Sequence, residues 1–319
     1  MIVAFDAICL ADGPATGVAR AFLTGLAAYA EAYPQDVLVL APAAADRSAL
    51  AGLRIVDAPR GALRRQFALP GLLRTHAVTV LHSPVAAVPL RAPCPTIATV
   101  HDLPWLQPES GERATRRQRF ATTRALRAAT AVIAPSRYTL AAAARLLGGA
   151  DKLHHVPHAT PPVPPSPPLP RDGPLLVLGD DRPRKNHDRV RAAHALARQR
   201  DPSLPDLRFV GPHADYVDED EKRRLLRTCR AVVACSLYEG YGLPVLEALA
   251  HGAPLVCSDL PPHREIAGAA ALFVDPTDVA AIADALLAAA RLDAPPAPPR
   301  LPTPRDVADA WRRLHDALA

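Results

Sequence analysis

The stretch SLYEGYGLPVLEALAHG, residues 236–252, sets two carboxylates, Glu239 and Glu247, around a turn holding Gly240, Gly242 and Pro244. Proline suits the first turn of a helix, where its missing N–H is no loss. Glycine lets backbone approach a ligand closely. The pattern predicts a helix opening near residue 244, with Glu247 in its first turn and Glu239 at the end of the preceding strand. Free N–H groups at such an opening form an anion site suited to a phosphate. Carboxylates bordering it can accept hydrogen bonds from sugar or ribose hydroxyls. Taken alone, the same residues also fit a plainer reading, in which Glu247 complements the helix dipole and Glu239 is solvated.

A second constellation, LGDDRPRKNHDRV, places Arg184 and Lys185 where an apolar run hands over to a helical pattern. Two cations at such an edge would neutralise a diphosphate. An ordinary basic loop is the alternative.

These groups need elements to position them. In the first half, the apolar runs IVAF, DVLVLA, LRIVDA, AVTVLHS, TIATVHD, TAVIAPS and LHHVPHA alternate with helical stretches such as GVARAFLTGLAAYAEAY and RYTLAAAARLLGG. Continuous apolar strands separated by helices indicate a parallel sheet covered on both faces. The stretch TPPVPPSPPLPRDGP, residues 160–174, is too rich in proline for a helix or central strand and reads as a stiff linker. The rhythm then restarts with PLLVLG, a helix over 186–200, DLRFVG, a helix over 218–229, AVVACS, PLVCSD, AALFVDP and a helix over 278–291. A last helix, RDVADAWRRLHDALA, follows a further proline-rich stretch. The expected architecture is α/β: two Rossmann-like, doubly wound parallel-sheet domains facing a cleft. They comprise 1–159, a linker at 160–174, a second domain over 175–300, and a C-terminal helix within 301–319 packing back toward the first domain. Ligands bind at the carboxyl edges of such sheets.

Composition excludes several classes. With 49% hydrophobic and 22% charged residues among 319, the chain can bury cores. A net charge of +5 is too mild to argue for nucleic acid. The five cysteines, Cys9, Cys94, Cys229, Cys235 and Cys257, form no CxxC, so neither a zinc site nor a disulfide framework is implied and a reducing cytoplasm is expected. The opening MIVAFDAICLADG lacks a basic start, and Asp6 interrupts its apolar run, so no leader is expected. No apolar run is long enough to span a bilayer. His154, His155 and His158 lack a completing carboxylate motif, and adjacent strand histidines point to opposite faces, so no metal site is expected. GERATRRQRFATTRALRAAT, residues 111–130, predicts a basic helix carrying Arg116, Arg117, Arg119, Arg124 and Arg127. It is either a solvated face or a peripheral membrane contact.

RPRKN after LLVLG, followed by SLYEGYGLPVLEALAHGAPLVCSDLPPHREIAGAAALFVDPTD, resembles the retaining glycosyltransferase family 4, of GT-B fold. The glutamate pair matches that family's Glu-x7-Glu motif. FDAICLADGPATGVARAFLTGL is similar to its opening strand and glycine loop, TIATVHDLPWLQPE to its His-Asp-Leu segment, and AVIAPSRYTLAAAARLLGGADKLHHVPHA to its Ser-x-x-Ser/Thr-Arg helix. The resemblance implies that Lys185, with Arg184 beside it, binds a donor diphosphate. It implies that Glu239 contacts the transferred sugar near the reacting carbon, and that Gly242, Leu243 and Pro244 present backbone to sugar and phosphate. Glu247 would hold the ribose, His101 would face the sugar, and Gly17 would lie near the donor phosphates. The implied partners are a nucleotide-sugar co-substrate and a glycan or lipid-linked acceptor, with neither metal nor other cofactor and with no nucleic acid. The implied place is the cytoplasm, at the inner face of the membrane where the acceptor is lipid-linked. Retention would follow without a covalent intermediate if the leaving phosphate takes the acceptor's proton; Glu239 could instead act as a nucleophile or stabilise the ring.

The sequence departs from that family at Ala19, where a second glycine is usual, at His158-Ala159, where Asn-Gly is common, and at Asp180, where many members carry arginine. The Arg-Lys-Asn branch includes many mannosyltransferases, which makes GDP-mannose the first donor to test. Between Asn186 and Ala231 there is room for one strand–helix unit where the family has two. A shortened second domain is therefore expected. With it comes an alternative reading: a non-catalytic GT-B paralogue that binds a sugar nucleotide or a partner transferase.

Overall fold

The structure is a computed structural model that describes residues 1–11, 16–164, 167, 169–211, 215–292 and 295–319, without the side chain of Glu109. The opening loop at 12–15 and part of the proline-rich linker, at 165, 166 and 168, therefore lie outside the described residues. The chain divides into two compact units. One comprises residues 1–103, 114–159 and 302–319; the other comprises 104–113 and 160–301.

The first unit holds β1 (Val3–Asp6), α1 (Gly17–Ala32), β2 (Val37–Pro42), β3 (Ile55–Ala58), α2 (Ala62–Thr75), β4 (Val80–Ser83), β5 (Thr96–Thr99), α3 (Arg116–Ala128), β6 (Ala131–Ala134), α4 (Arg137–Leu147) and β7 (Leu153–His155). The strands run parallel in the order β3-β2-β1-β4-β5-β6-β7. This is a doubly wound sheet whose order reverses at β1. Every residue of β1, β2, β4, β5 and β6 is buried, as expected of parallel strands covered on both faces. Val3, Phe5, Val37 and Val39 pack on one side with Phe22, Leu26 and Tyr29 of α1. Ala4, Leu38, Leu40 and Leu81 pack on the other with Leu69 and Leu73 of α2.

Helix α2 is absent from the elements read in the sequence. Pro70 lies inside it, where proline ordinarily argues against a helix. Burial of Leu69 and Leu73 and an ion pair from Arg65 to the fully buried Asp6 hold it in place. The basic helix is shorter than 111–130. It starts after Thr115, whose hydroxyl accepts from Gln118 N while the Gln118 side chain returns to Thr115 N, a capping box.

The second unit continues with β8 (Leu175–Leu178), α5 (His187–Arg200), β9 (Leu207–Val210), α6 (Glu219–Thr228), β10 (Ala231–Ala234), α7 (Leu243–Ala250), β11 (Leu255–Ser258), α8 (Pro261–Ala267), β12 (Leu272–Val274) and α9 (Val279–Arg291). Its five parallel strands are ordered β12-β11-β10-β8-β9. Only β9 and α6 lie between α5 and β10 among the described residues, so this sheet is the smaller of the two. Residues 104–113, assigned by sequence to the first domain, group with this unit instead. Glu112 of this segment pairs with Arg184 at 2.8 Å.

The last helix, α10 (Pro304–Leu318), belongs to the first unit and packs on α1. The benzo edge of Trp311 packs against Gly25, where an added Cβ would come within 2.4 Å of the indole. Arg312 pairs with Asp36 at 2.7 Å, and the Tyr33 hydroxyl donates to Asp309 at 3.2 Å.

Candidate active site

In the second unit the loops after β8 and β10 meet in one cluster of charge. The chain leaves β8 through Gly179, at φ +132°, and makes a single 3-10 turn over Pro183–Lys185. It enters α5 through Asn186 in the left-handed conformation, at φ +62°. Asparagine tolerates that conformation better than most side chains. The Asn186 amide donates to Cys235 O at 3.0 Å and to Pro276 O at 2.7 Å, and Leu237 N donates to Arg184 O at 2.7 Å. These bonds tie the loop after β8 to those after β10 and β12 and fix the backbone under both cations.

Glu239 lies in the loop beyond β10, five residues past its last residue, rather than at the strand end. It is buried, so the solvated alternative does not hold. Lys185 Nζ donates to its Oε1 at 2.7 Å, Ser236 Oγ donates to the same oxygen at 2.8 Å, and Arg184 Nη1 stands 3.8 Å from Oε2. Burial by itself would push the Glu239 carboxyl up. Lys185 and Arg184 outweigh it and hold the group down at about 2. The carboxylate is therefore ionised at neutral pH and has no proton to give.

Gly242 caps α7 at φ +117°, in the region that favours glycine. A Cβ there would lie 2.8 Å from Cδ2 of His263. His263 is buried in α8, and its Nδ1–H donates to Ser258 O at 3.0 Å, because a carbonyl can only accept. Burial pushes this imidazole down, toward the neutral form, beside the Glu239 charge.

Glu247 sits in the second turn of α7, not the first, because the helix opens at Leu243. It is buried, and Lys222 Nζ of α6 donates to its Oε1 at 2.9 Å. Lys222 also pairs with Glu219 at 2.9 Å. Gly242 O accepts from the N–H groups of Val245 and Leu246, at 3.0 and 3.1 Å, so part of the donor set of this helix end is already used.

In the first unit, His101 follows β5. Its Nε2–H donates to Pro84 O at 2.6 Å. A neutral ring must then accept at Nδ1, and His158 Nε2 stands 3.2 Å away as the donor. Burial pushes both imidazoles down, His158 the further of the two. Gly17 is the first residue of α1, whose cap is the Thr16 hydroxyl accepting from Ala19 N at 3.3 Å.

Comparison with known proteins now bears on this geometry. Residues 17–163 match the family model described as Glycosyltransferase Family 4, and residues 137–291 match the one described as Glycosyl transferases group 1. The crystal structure of WaaG, a glycosyltransferase involved in lipopolysaccharide biosynthesis, superposes with TM-score 0.68 at 15% identity, covering 99% of this chain and 95% of WaaG. Anabaena HepE in complex with UDP and glucose superposes with TM-score 0.65 at 14% identity, covering 100% of this chain and 95% of HepE.

The chain has the GT-B fold.

Sequence relatives match over shorter spans. The O-antigen chain mannosyltransferase B of Escherichia coli is 41% identical over 81 residues, 25% of this chain and 20% of that protein. The O-antigen chain mannosyltransferase RfbU of Salmonella typhimurium is 37% identical over 62 residues, 19% of this chain and 18% of that one. The alignments thus span about a fifth of each relative's length.

Of the residues singled out by sequence, Arg184, Lys185 and Glu239 share one cluster. Gly242, Leu243 and Pro244 form the opening of α7, and Glu247 forms a separate pair with Lys222. His101 and Gly17 belong to the other unit. Sequence reasoning passed over Glu112, Asn186, Lys222, Ser236 and His263. Asn186 carried a signal, as an asparagine directly after two cations at a helix start. Glu112 and Lys222 carried none, because their partners are remote in the chain.

Proposed function

We propose that this glycosyltransferase moves a hexose from a nucleoside diphosphate sugar to a glycan or lipid-linked acceptor with retention of configuration. The cluster of Arg184, Lys185 and Glu239 carries the reading. As the bond from the anomeric carbon to the diphosphate oxygen breaks, negative charge grows on the leaving oxygens and positive charge on the sugar ring. Lys185 and Arg184 are placed to meet the first, in the role a metal ion plays elsewhere, and the ionised Glu239 is placed to meet the second. The acceptor hydroxyl bonds to the same carbon, and its proton passes to the leaving phosphate oxygen. Gly242 and Leu243 offer backbone to sugar and phosphate, and Glu247 grips the ribose in exchange for part of its bond to Lys222. His101, in the first unit, has both ring nitrogens engaged and so has no mobile proton to offer. The mannosyltransferase names of two relatives favour GDP-mannose as donor.

A cytoplasmic site of action at a membrane surface fits the exterior of the first unit. Phe120 of α3 and Phe67 and Leu63 of α2 are 64%, 82% and 75% exposed, and neither helix contains a carboxylate. Right-handed crossovers from β3 to β4 and from β5 to β6 put both helices on one face of the sheet. Arginine with exposed aromatic side chains suits an anionic lipid surface. No helix among the described residues is long and apolar enough to cross a membrane.

Calorimetric titration with GDP, UDP, dTDP and ADP tests the donor site. One nucleotide should bind tightly to the wild type and weakly to Lys185→Ala, by on the order of 1.5–3 kcal/mol for a charged hydrogen bond. Equal affinity in the two proteins would remove Lys185 from the site and with it the reading.

A further inference from the structure

The two cations of the cluster are not both waiting for a ligand. Glu112 sits in the segment 104–113 of the second unit. Gly111, at φ +65°, turns the chain after the short helical turn Pro108–Ser110. Ser110 is buried; its hydroxyl donates to Pro104 O at 2.8 Å and accepts from Glu112 N at 3.1 Å. The backbone under Glu112 is thereby set, and its carboxylate lies 2.8 Å from Arg184 Nε and 3.5 Å from Arg182 Nη1. No sequence motif marks this residue.

Charge balance shows what the contact does. Arg184 and Lys185 are opposed by Glu112 and Glu239, so the inner cluster sums to zero. A diphosphate entering a neutral cluster gains little net attraction, and a site that holds one needs a surplus of positive charge. The surplus exists only when one carboxylate withdraws. Glu239 is the worse candidate, since three groups hold it and its side chain is 9% exposed. The Glu112 side chain is 24% exposed, touches only arginines in the ion pairs it makes, and has a path to water.

We propose that Glu112 is a built-in anion that occupies Arg184 in the ligand-free protein and that the diphosphate of the donor displaces it. The proposal rests on the donor-site reading above and adds a gate to it. Binding exchanges one anion for another at Arg184. The protein therefore never exposes an uncompensated buried guanidinium, and a weak anion cannot enter, because it must outcompete a carboxylate already in place.

The test compares wild type, Glu112→Gln and Lys185→Ala by calorimetric titration with GDP, UDP and inorganic pyrophosphate, with thermal unfolding of each protein free and saturated. Removing the internal competitor should tighten nucleoside diphosphate and pyrophosphate binding on the order of ten-fold, as expected for the loss of one nearby like charge. The ligand-free Glu112→Gln protein should melt lower than wild type and gain more on ligand binding. Unchanged or weaker binding by Glu112→Gln while Lys185→Ala binds weakly would overturn the gate and leave the donor site standing. Wild-type affinity in Lys185→Ala, or no nucleotide binding by wild type, would overturn both.

Discussion

Lys185 Nζ lies 2.7 Å from Glu239 Oε1, and both side chains are at least nine-tenths buried. Two groups implied to touch opposite ends of a breaking bond thus neutralise each other when no ligand is present. Removing one partner strands the other's charge in a poorly solvated place, which costs about 3–5 kcal/mol. Lys185→Met and Glu239→Gln should each lower stability by an amount of that order in denaturant unfolding. The double variant should regain much of the loss, because no charge of the pair is left uncompensated, yet remain without transfer activity. Additive losses in the double variant would show that the pair does not interact, and turnover by Glu239→Gln near the wild-type rate would remove that carboxylate from the chemistry.

Gly242 answers to two constraints, its φ of +117° and the ring of His263 at 2.8 Å from the place of a Cβ. Gly242→Ala should cost about 1–3 kcal/mol from backbone strain, plus the clash. In a His263→Ala background the clash disappears and the strain stays. The cost of Gly242→Ala should therefore shrink there without vanishing. The same cost in both backgrounds would mean that His263 does not constrain the opening of α7.

Much of this fold is legible from periodicity. All twelve described strands overlap apolar runs that the sequence displays, because strands covered on both faces are mostly apolar. Helix α2 was not legible. Pro70 breaks the local rule, and only the tertiary burial of Leu69 and Leu73 overrides it. The site shows the same division. Arg184 and Lys185 stand out as adjacent cations before a helix and Glu239 as a carboxylate beside Gly240, a local signal. Lys222 is twenty-five positions from Glu247 and Glu112 is far from Arg184, so each reads as one more surface charge until the chain is folded. The helix opens one residue earlier than the sequence suggests, because Gly242, and not the residue before Pro244, caps it, and Glu247 falls in the second turn.

The buried bond from Lys222 to Glu247, at 2.9 Å, makes a sharper test of the ribose role. If Glu247 grips ribose hydroxyls, wild type should prefer a ribonucleoside diphosphate over its 2′,3′-dideoxy analogue by about 1.5–3 kcal/mol for charge-assisted bonds. Glu247→Gln should shrink that preference while affinity for pyrophosphate stays constant. A preference that survives in Glu247→Gln assigns the ribose to other groups and leaves Glu247 as the structural partner of Lys222.

Acid should loosen α10 before it disturbs the charge cluster. His315 is fully buried, with Nδ1 3.0 Å from the Tyr29 hydroxyl and Nε2 3.0 Å from Nδ1 of His82. The rings of Phe5, Tyr29 and His82 surround it. Asp316, Arg312 and Asp36 are the charged groups it feels. Burial pushes its imidazole from 6.5 down to about 4, and burial pushes His82 in the same direction. The unfolded chain therefore takes up the proton first. The stability held by His315 is complete above about 6.5 and is lost as pH falls from there toward 4, by roughly 3 kcal/mol at 1.36 kcal/mol per unit. Glu239, held at about 2, keeps its ion pairs through that window. Thermal unfolding of wild type and His315→Gln between pH 7.5 and 4.5 should therefore give curves that converge toward acid, because the variant has already lost the group whose burial becomes costly. Parallel curves would show that His315 does not set the acid sensitivity of the first unit.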